Sequence, residues 1–305
     1  MLQAVLTGLS VGAIYGLVAM AFAVVFYVNR VINFATGQLL MLSVMIIAGL
    51  GQSGVTTWLT IPLGIIASTV GAVLIYYVAV RPVLAFNRFS FAWLVSTLGV
   101  AIILESAAAL IWGTSSLGFP RLLNGDEVSI FGASLSWQRI LAIIVALALT
   151  AAVELFRART LSGKIAMAIS EDPDTSSAMG VNVTAYAVGA FALGGLLAGV
   201  AGVLVGPISF ANPYLGDTYG IYGFVALMVG GIERPAASMG GGFILGILIT
   251  IASTYINALA SDWFPFVVVI AVLLIAPNGI FRTGSTLRKL FSARRPTAAL
   301  AGQGR

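Results

Sequence analysis

The sequence predicts an all-α polytopic membrane protein, a bundle of eight or nine transmembrane or re-entrant helices with one short cytoplasmic helix. Three observations carry this. Apolar types make up 60% of the 305 residues and charged types only 8%, against roughly 25% charged in average soluble domains. Apolar runs near the ~20 residues that cross a hydrocarbon core recur along the chain. The charges gather in a few loops and the C-terminal end. One helical bundle uses the whole chain, so residues 1–282 read as a single membrane domain and 283–305 as a basic cytoplasmic tail.

Nine segments satisfy the criterion in order: Val5–Val28, Asn33–Leu50, Trp58–Val80, Phe91–Trp112, Ile140–Phe156, Thr184–Val205, Tyr219–Gly231, Ala236–Asn257 and Trp263–Phe281. The first lacks a basic leader and is too long for a cleaved signal peptide. Val5–Leu50 exceeds one crossing at ~1.5 Å per residue. It must form a hairpin, or a span followed by a re-entrant piece. Tyr219–Gly231 is short and interrupted by glycine, and reads as half a helix or a full crossing.

Basic residues orient the bundle. With all nine segments crossing and the C-terminus cytoplasmic, Arg30, Arg81, Arg88, Arg157, Arg159, Lys164, Arg234, Arg282, Arg288, Lys289, Arg294, Arg295 and Arg305 lie inside. Only Arg121 and Arg139 lie outside. The N-terminus is then outside, unless one short segment is re-entrant. Gly8, Gly12 and Gly16 recur every fourth residue, as do Gly195/Gly199 and Gly242/Gly246. Small residues at this spacing let backbones approach in lipid. The first triple is expected to pack within the bundle, with an oligomer contact as the alternative.

Two loops carry information. The outside loop 113–138 contains Asn124-Gly125 and then Val128-Ser129-Ile130-Phe131, which suits a small hairpin, a short helix or a bland surface loop. The inside loop 157–183 is more specific. Asp172 is an N-cap, Pro173 suits the first helical position and Gly180 the stop. They delimit a helix over Pro173–Met179, preceded by an amphipathic stretch Gly163–Ser170. A short capped helix outside the membrane suggests a cytoplasmic partner, with an idle interfacial helix as the alternative.

Within the spans Glu105 is the anomaly. A carboxylate there costs a few kcal/mol unless paired, wet or neutralised. It is either a pathway residue or an interhelical contact. Two polar breaks, Asn33–Gln38 and Ser209–Tyr214, interrupt apolar segments, each with a Phe-Ala pair. Broken helices free backbone groups and mark transport pathways when they recur in two halves. The chain has no Cys and no His, which removes thiolate chemistry, the commonest general base and the commonest metal ligand. No catalytic or metal-ligating set is predicted, and no nucleic-acid binding. An intramembrane enzyme and a scaffold are poor fits.

At these residues the chain resembles LivH-type permeases, membrane subunits of branched-chain amino acid ABC importers. The similarity runs through GLSVGAIYGLVAMAFAVVFYVNRVINFATGQLLML, GKIAMAISEDPDTSSAMGVNV, ISFANPYLG, VGGIERPAASMGGGFILGIL and VLLIAPNGIF, in order, over nearly the whole chain. It implies a bacterial inner-membrane permease, not an enzyme, that forms the translocation path by alternating access. Implied partners are a second related permease, two cytoplasmic ABC ATPases and an extracytoplasmic solute-binding protein. The chain binds no cofactor, and ATP is used by the partner subunits. It lacks the phosphate-binding G-x-x-x-x-G-K-[ST] pattern.

In this reading Asn33, Phe34, Thr36, Gln38, Glu105 and Phe210 line the path, with Phe34 and Phe210 as gates. Glu171, Asp172, Pro173, Asp174, Ala178, Met179 and Gly180 form the ATPase coupling segment. Loop 113–138 faces the binding protein. Thr36 stands where the family commonly has His, Gly230-Gly231-Ile232-Glu233-Arg234 replaces a more Gly-rich loop, and Glu105 stands near a family amide. The solute is a branched-chain amino acid, urea, an amide or an organic acid. The competing reading is a secondary transporter driven by an ion gradient.

Overall fold

The protein is described by a computed structural model covering residues 1–86, 91–120, 128–130, 133–232, 234–276 and 279–281. Arg88, Arg121, the Asn124-Gly125 turn, Glu233 and the basic tail 283–305 lie outside the described residues. The helices are α1 Leu2–Asn29, α2 Thr36–Gln52, α3 Thr57–Phe86, α4 Ala92–Trp112, α5 Trp137–Arg159, α6 Leu161–Glu171, α7 Pro173–Ala178, α8 Val183–Ser209, α9 Leu215–Gly230, α10 Pro235–Tyr255 and α11 Ala260–Ile275. Two short strands, β1 Val128–Ile130 and β2 Ala133–Leu135, complete the described residues.

Six of these helices, α1, α3, α4, α5, α8 and α10, are long and apolar enough to cross a membrane. Of the expected eight or nine transmembrane or re-entrant helices, six meet this length and composition among the described residues. Segments two, seven and nine form helices of 17, 16 and 16 residues, shorter than these six. Segment two loses its first three residues to a polar break, whereas segment seven begins four residues before Tyr219 and segment nine three before Trp263. Asn33–Ala35 is a turn and not helix, and α11 stops at Ile275 rather than Phe281. Elsewhere the helices outrun the predicted segments. α3 continues past Val80 to Phe86 through a π-helical turn at Tyr76–Val80. The Ala79 carbonyl in that turn accepts a hydrogen bond from Ser96 Oγ of α4 at 2.9 Å.

α1 is the axis of the bundle. It is apolar all round, the pattern of a helix buried on every side, and Ala13–Val25 are all buried. Its principal neighbour is α10, antiparallel to it. Gly8 faces Ile247, Gly12 faces Gly242 and Phe243, and Gly16 faces Met239. The glycine triple therefore packs within the chain, as the first of the two expectations had it. Gly195 and Gly199 of α8 likewise meet Ser68 and Ile65 of α3, and Ser68 Oγ donates to the Gly195 carbonyl at 2.7 Å. Contact of this closeness replaces the hydrophobic force that is absent between helices in lipid.

The two ends of α1 touch different loops. At its start Gln3 exchanges two hydrogen bonds with the Ser134 backbone, 2.8 and 2.9 Å long. Ser134 belongs to the β1–β2 hairpin, whose register pairs Val128 with Leu135 and Ile130 with Ala133. At the other end Arg30, in left-handed conformation at φ 54°, caps α1. Its guanidinium donates to the Ser170 carbonyl of α6 at 2.6 and 3.2 Å. These are the hairpin end and the basic end of the bundle.

Candidate translocation site

The first polar break is a built turn. Asn33 Oδ1 accepts from the Ala35 N–H at 3.2 Å, and Thr36 Oγ1 donates to the Asn33 carbonyl at 2.6 Å. Both side chains are buried and serve the start of α2, where orphan N–H groups need partners. Phe34 leaves the turn half-buried, its N–H donating to Thr97 Oγ1 and its ring 5.4 Å from Phe224 of α9.

The second break spans Phe210–Tyr214, between α8 and α9. Phe210 has φ 59° and ψ 163°, a region that bulky residues seldom occupy and that costs about 1–3 kcal/mol. The residue is 61% exposed, so packing within the chain recovers little of that cost. Ala211 is fixed by a two-way backbone pairing with Leu117, at 2.7 and 3.1 Å. This strap from the 113–120 segment was not visible in the sequence.

The two breaks meet. Gly37, at the start of α2, lies against Gly216 and Gly220 at the start of α9, with room for no side chain. One residue further, Gln38 Nε2 donates to Asp217 Oδ1 at 2.6 Å and to Glu105 Oε2 at 3.3 Å. Glu105 and Asp217 thus share one amide donor. Gln38 is 2% exposed and its Oε1 is buried with no hydrogen-bond partner, an arrangement that costs about 1–3 kcal/mol when left unmet. Glu105 is half-buried and Asp217 exposed. The cluster therefore opens onto a face of the bundle instead of being sealed inside it. Beside it Tyr15, Tyr219 and Tyr222 stack with centroids 5.1 and 5.6 Å apart, and the Tyr219 hydroxyl bonds Ser209 at 2.8 Å.

Of the six predicted path residues, Gln38 and Glu105 meet here, Asn33, Phe34 and Thr36 belong to the turn before α2, and Phe210 stands at the second break. Asp217 was missed. It follows the ISFANPYLG stretch and precedes the segment predicted at Tyr219, so it read as a loop residue.

The coupling segment forms α7 over Pro173–Ala178, one residue shorter than predicted, with Met179 as its C-cap. Asp172 Oδ1 accepts from the N–H groups of Asp174 and Thr175 at 3.1 and 3.0 Å, and its Oδ2 accepts from Thr175 Oγ1 at 2.5 Å. The Thr175 hydroxyl and backbone N–H hold this carboxyl below its ordinary pKa. Gly180 is left-handed, φ 86°, and ends the turn. Met179 is 81% exposed, and Glu171, Asp172 and Asp174 are exposed around it. Immediately before it, α6 covers Leu161–Glu171, longer at both ends than expected, and Thr160 caps its start by accepting from the Gly163 N–H.

Residues 4–276 match the protein family described as branched-chain amino acid transport system / permease component. The chain is 33% identical over 294 residues to the high-affinity branched-chain amino acid transport system permease protein LivH of Salmonella typhimurium, covering 92% of this chain and 94% of that protein. Against LivH of Escherichia coli K12 the identity is again 33%, over 293 residues, with the same coverage. Against BraD of Pseudomonas aeruginosa it is 30% over 293 residues, covering 92% and 95%.

Proposed function

The chain belongs to the family of branched-chain amino acid transport permease components, and from that premise we propose that its translocation path runs along the open face where α2 and α9 begin. The protein is a permease component of an ABC-type importer and not an enzyme. A secondary transporter is not favoured by this membership. The observation that carries the path is the meeting of two interrupted helices at Gly37/Gly220, with Gln38 bridging Glu105 and Asp217.

The solute is a branched-chain amino acid, as in the printed names of the relatives. Its ammonium group would meet the two carboxylates, and its aliphatic side chain the ring of Phe34. Polar groups in an otherwise apolar path bind such a zwitterion weakly enough to release it. Of the predicted lining, Gln38, Glu105 and Phe34 face the path. Asn33 and Thr36 hold its shape, and Phe210 gates the second break.

Nine membrane-embedded helices fit this reading: the six long ones with α2, α9 and α11, of which α2 and α9 start part-way across. Residues 1–282 form the permease domain. The basic end is cytoplasmic by the positive-inside rule, which puts the tail inside and the hairpin end outside, in a bacterial inner membrane. The open face needs a second permease to close the path. α7 docks on one of two ATPases, which use the ATP, and the 113–138 segment faces a solute-binding protein. Arg30 links α6 directly to the turn that opens at residue 30, giving ATPase closure a route to the first break.

The test is uptake of labelled leucine into vesicles containing this chain with its co-expressed partner subunits. ATP-dependent uptake is expected, reduced roughly tenfold or more by Gln38→Leu, which removes two hydrogen bonds to charged groups. Uptake that proceeds without any ATPase, or is unchanged in Gln38→Leu, would refute the proposal.

A further inference from the structure

A cavity of about 690 Å³ lies near the basic end, away from the path. Its walls are the Val24–Val28 turn of α1, the second half of α5 and the first half of α8, and its floor is the start of α6. Inside it is aliphatic, with Val24, Leu149, Leu193 and Leu197 among the lining. At about 30 Å³ per small group, the volume share of a water molecule, it holds roughly twenty methylene-sized units. It is open: Gly189 is exposed, and a Cβ added there would meet nothing within 4 Å.

The chemistry changes at one end. Arg157, Tyr27 and Ser162 stand at the α5–α6 corner. Arg159, Lys164 and Arg234, each adjacent in sequence to this corner or to the lining Pro235, are exposed. Among the described residues nearest the lining, the acid is Glu154, and it is paired with Arg157. α6 leaves Leu161 and Met167 exposed, 75% and 45%, as a helix lying in an interface does. α5 exposes Ile144, Leu147 and Leu155 around the cavity, so its outer surface faces hydrocarbon.

An apolar slot at membrane depth beneath a cluster of cations has one complementary occupant. We propose that this groove binds a single anionic phospholipid of the leaflet at the basic end. One acyl chain lies between α5 and α8 over α1, and the phosphate sits at Arg159 and Lys164. Basic pockets between spanning helices on the cytoplasmic side bind acidic headgroups in this manner. The lipid wedges the corner where α5 turns into α6 and so supports the helix that Arg30 ties to the first break.

The experiment uses the purified full chain with its co-purifying subunits in detergent. Bound lipid is read by native mass spectrometry, and thermal stabilisation by added phosphatidylglycerol is compared with phosphatidylcholine. Wild type is expected to retain one phospholipid and to prefer phosphatidylglycerol about 25-fold, each of two basic side chains contributing about fivefold near anionic headgroups. Gly189→Leu fills the open slot and should lose both the retained lipid and the stabilisation. Arg159→Gln with Lys164→Gln touches only exposed side chains. It should keep the bound lipid and lose the preference. Equal stabilisation by the two lipids in wild type, or an unchanged phosphatidylglycerol effect in Gly189→Leu, overturns the proposal. So does cross-linking from Gly189→Cys to a protein subunit in place of lipid.

Discussion

Adding one methyl group at Gly12 probes whether α1 is held to α10 by backbone contact. A Cβ at Gly12 would lie 2.7 Å from the Gly242 carbonyl oxygen and 2.9 Å from Phe243 Cα. Carbon atoms rest at about 3.5–4.0 Å, so the two helices must part by at least ~0.6 Å at this crossing. A gap of that size forfeits a quarter to a half of each neighbouring dispersion contact. Neither obstacle is a side chain that could swing away, so the cost falls in the overpacking range of about 1–3 kcal/mol. Ala is also a better helix former than Gly by up to ~1 kcal/mol, which offsets part of the loss.

Gly99→Ala supplies the control. It carries the same propensity gain, and its Cβ meets nothing within 4 Å. Gly12→Ala should therefore be less stable than Gly99→Ala by about 1–3 kcal/mol, while Gly99→Ala is neutral or slightly stabilised. Thermal unfolding of the two purified variants in the same detergent reads the difference as a shift of a few degrees. Gly12→Ala melting at or above Gly99→Ala would refute close packing of α1 on α10.

Asp217→Asn keeps the hydrogen bond from Gln38 but removes a charge from the site, so leucine uptake should fall while expression and melting stay near wild type; unchanged uptake would remove Asp217 from the path. Phe210→Gly relieves the left-handed strain of about 1–3 kcal/mol and deletes an exposed ring, so it should melt higher yet transport less; a lower melting temperature would show that the ring packs. Asp172→Ala leaves the first N–H groups of α7 without their acceptor and should weaken ATPase co-purification without unfolding the bundle; normal docking and uptake would sink the coupling role. Because its partners lower the Asp172 pKa from 3.8, the cap is present at all pH values above that and is lost only as acid drives the pH down through the lowered value. ATPase association should therefore be insensitive to pH between 5 and 8 as far as this residue is concerned, and a loss within that window restricted to proteins carrying Asp172 would contradict the geometry.

Where the sequence succeeded, the physics was local or one-dimensional. The cap at Asp172, the stop at Gly180 and the long apolar runs are each decided by a few adjacent residues. The glycine triple on α1 pointed to close packing, although its partner, Gly242/Gly246 on α10, is more than two hundred residues away and could be named only from the fold. Hydropathy failed where helices begin mid-bundle. Asn33–Ala35 is apolar enough to be counted as span, yet its backbone is committed to a turn by Asn33 and Thr36. The same limit hid Asp217. Nothing adjacent to it announces a site, because its partner Gln38 arrives from 179 positions away.

That convergence also explains why the charges at Glu105 and Asp217 are tolerable. A carboxylate in hydrocarbon is costly, and two beside each other repel. Here one amide donates to both, and the paired acids stand at the rim of an open face where water or a solute ammonium can reach them. The arrangement is incomplete by construction: Gln38 Oε1 has no donor and Asp217 is exposed. A storage or scaffold bundle has no reason to leave such groups unmet, since an aliphatic substitution at Gln38 would remove the orphaned oxygen. If Gln38→Leu melts higher than wild type while uptake collapses, stability has been given up at this position for transport. If it melts lower, the bridge holds α2 to α9, and the unmet oxygen is a cost of architecture.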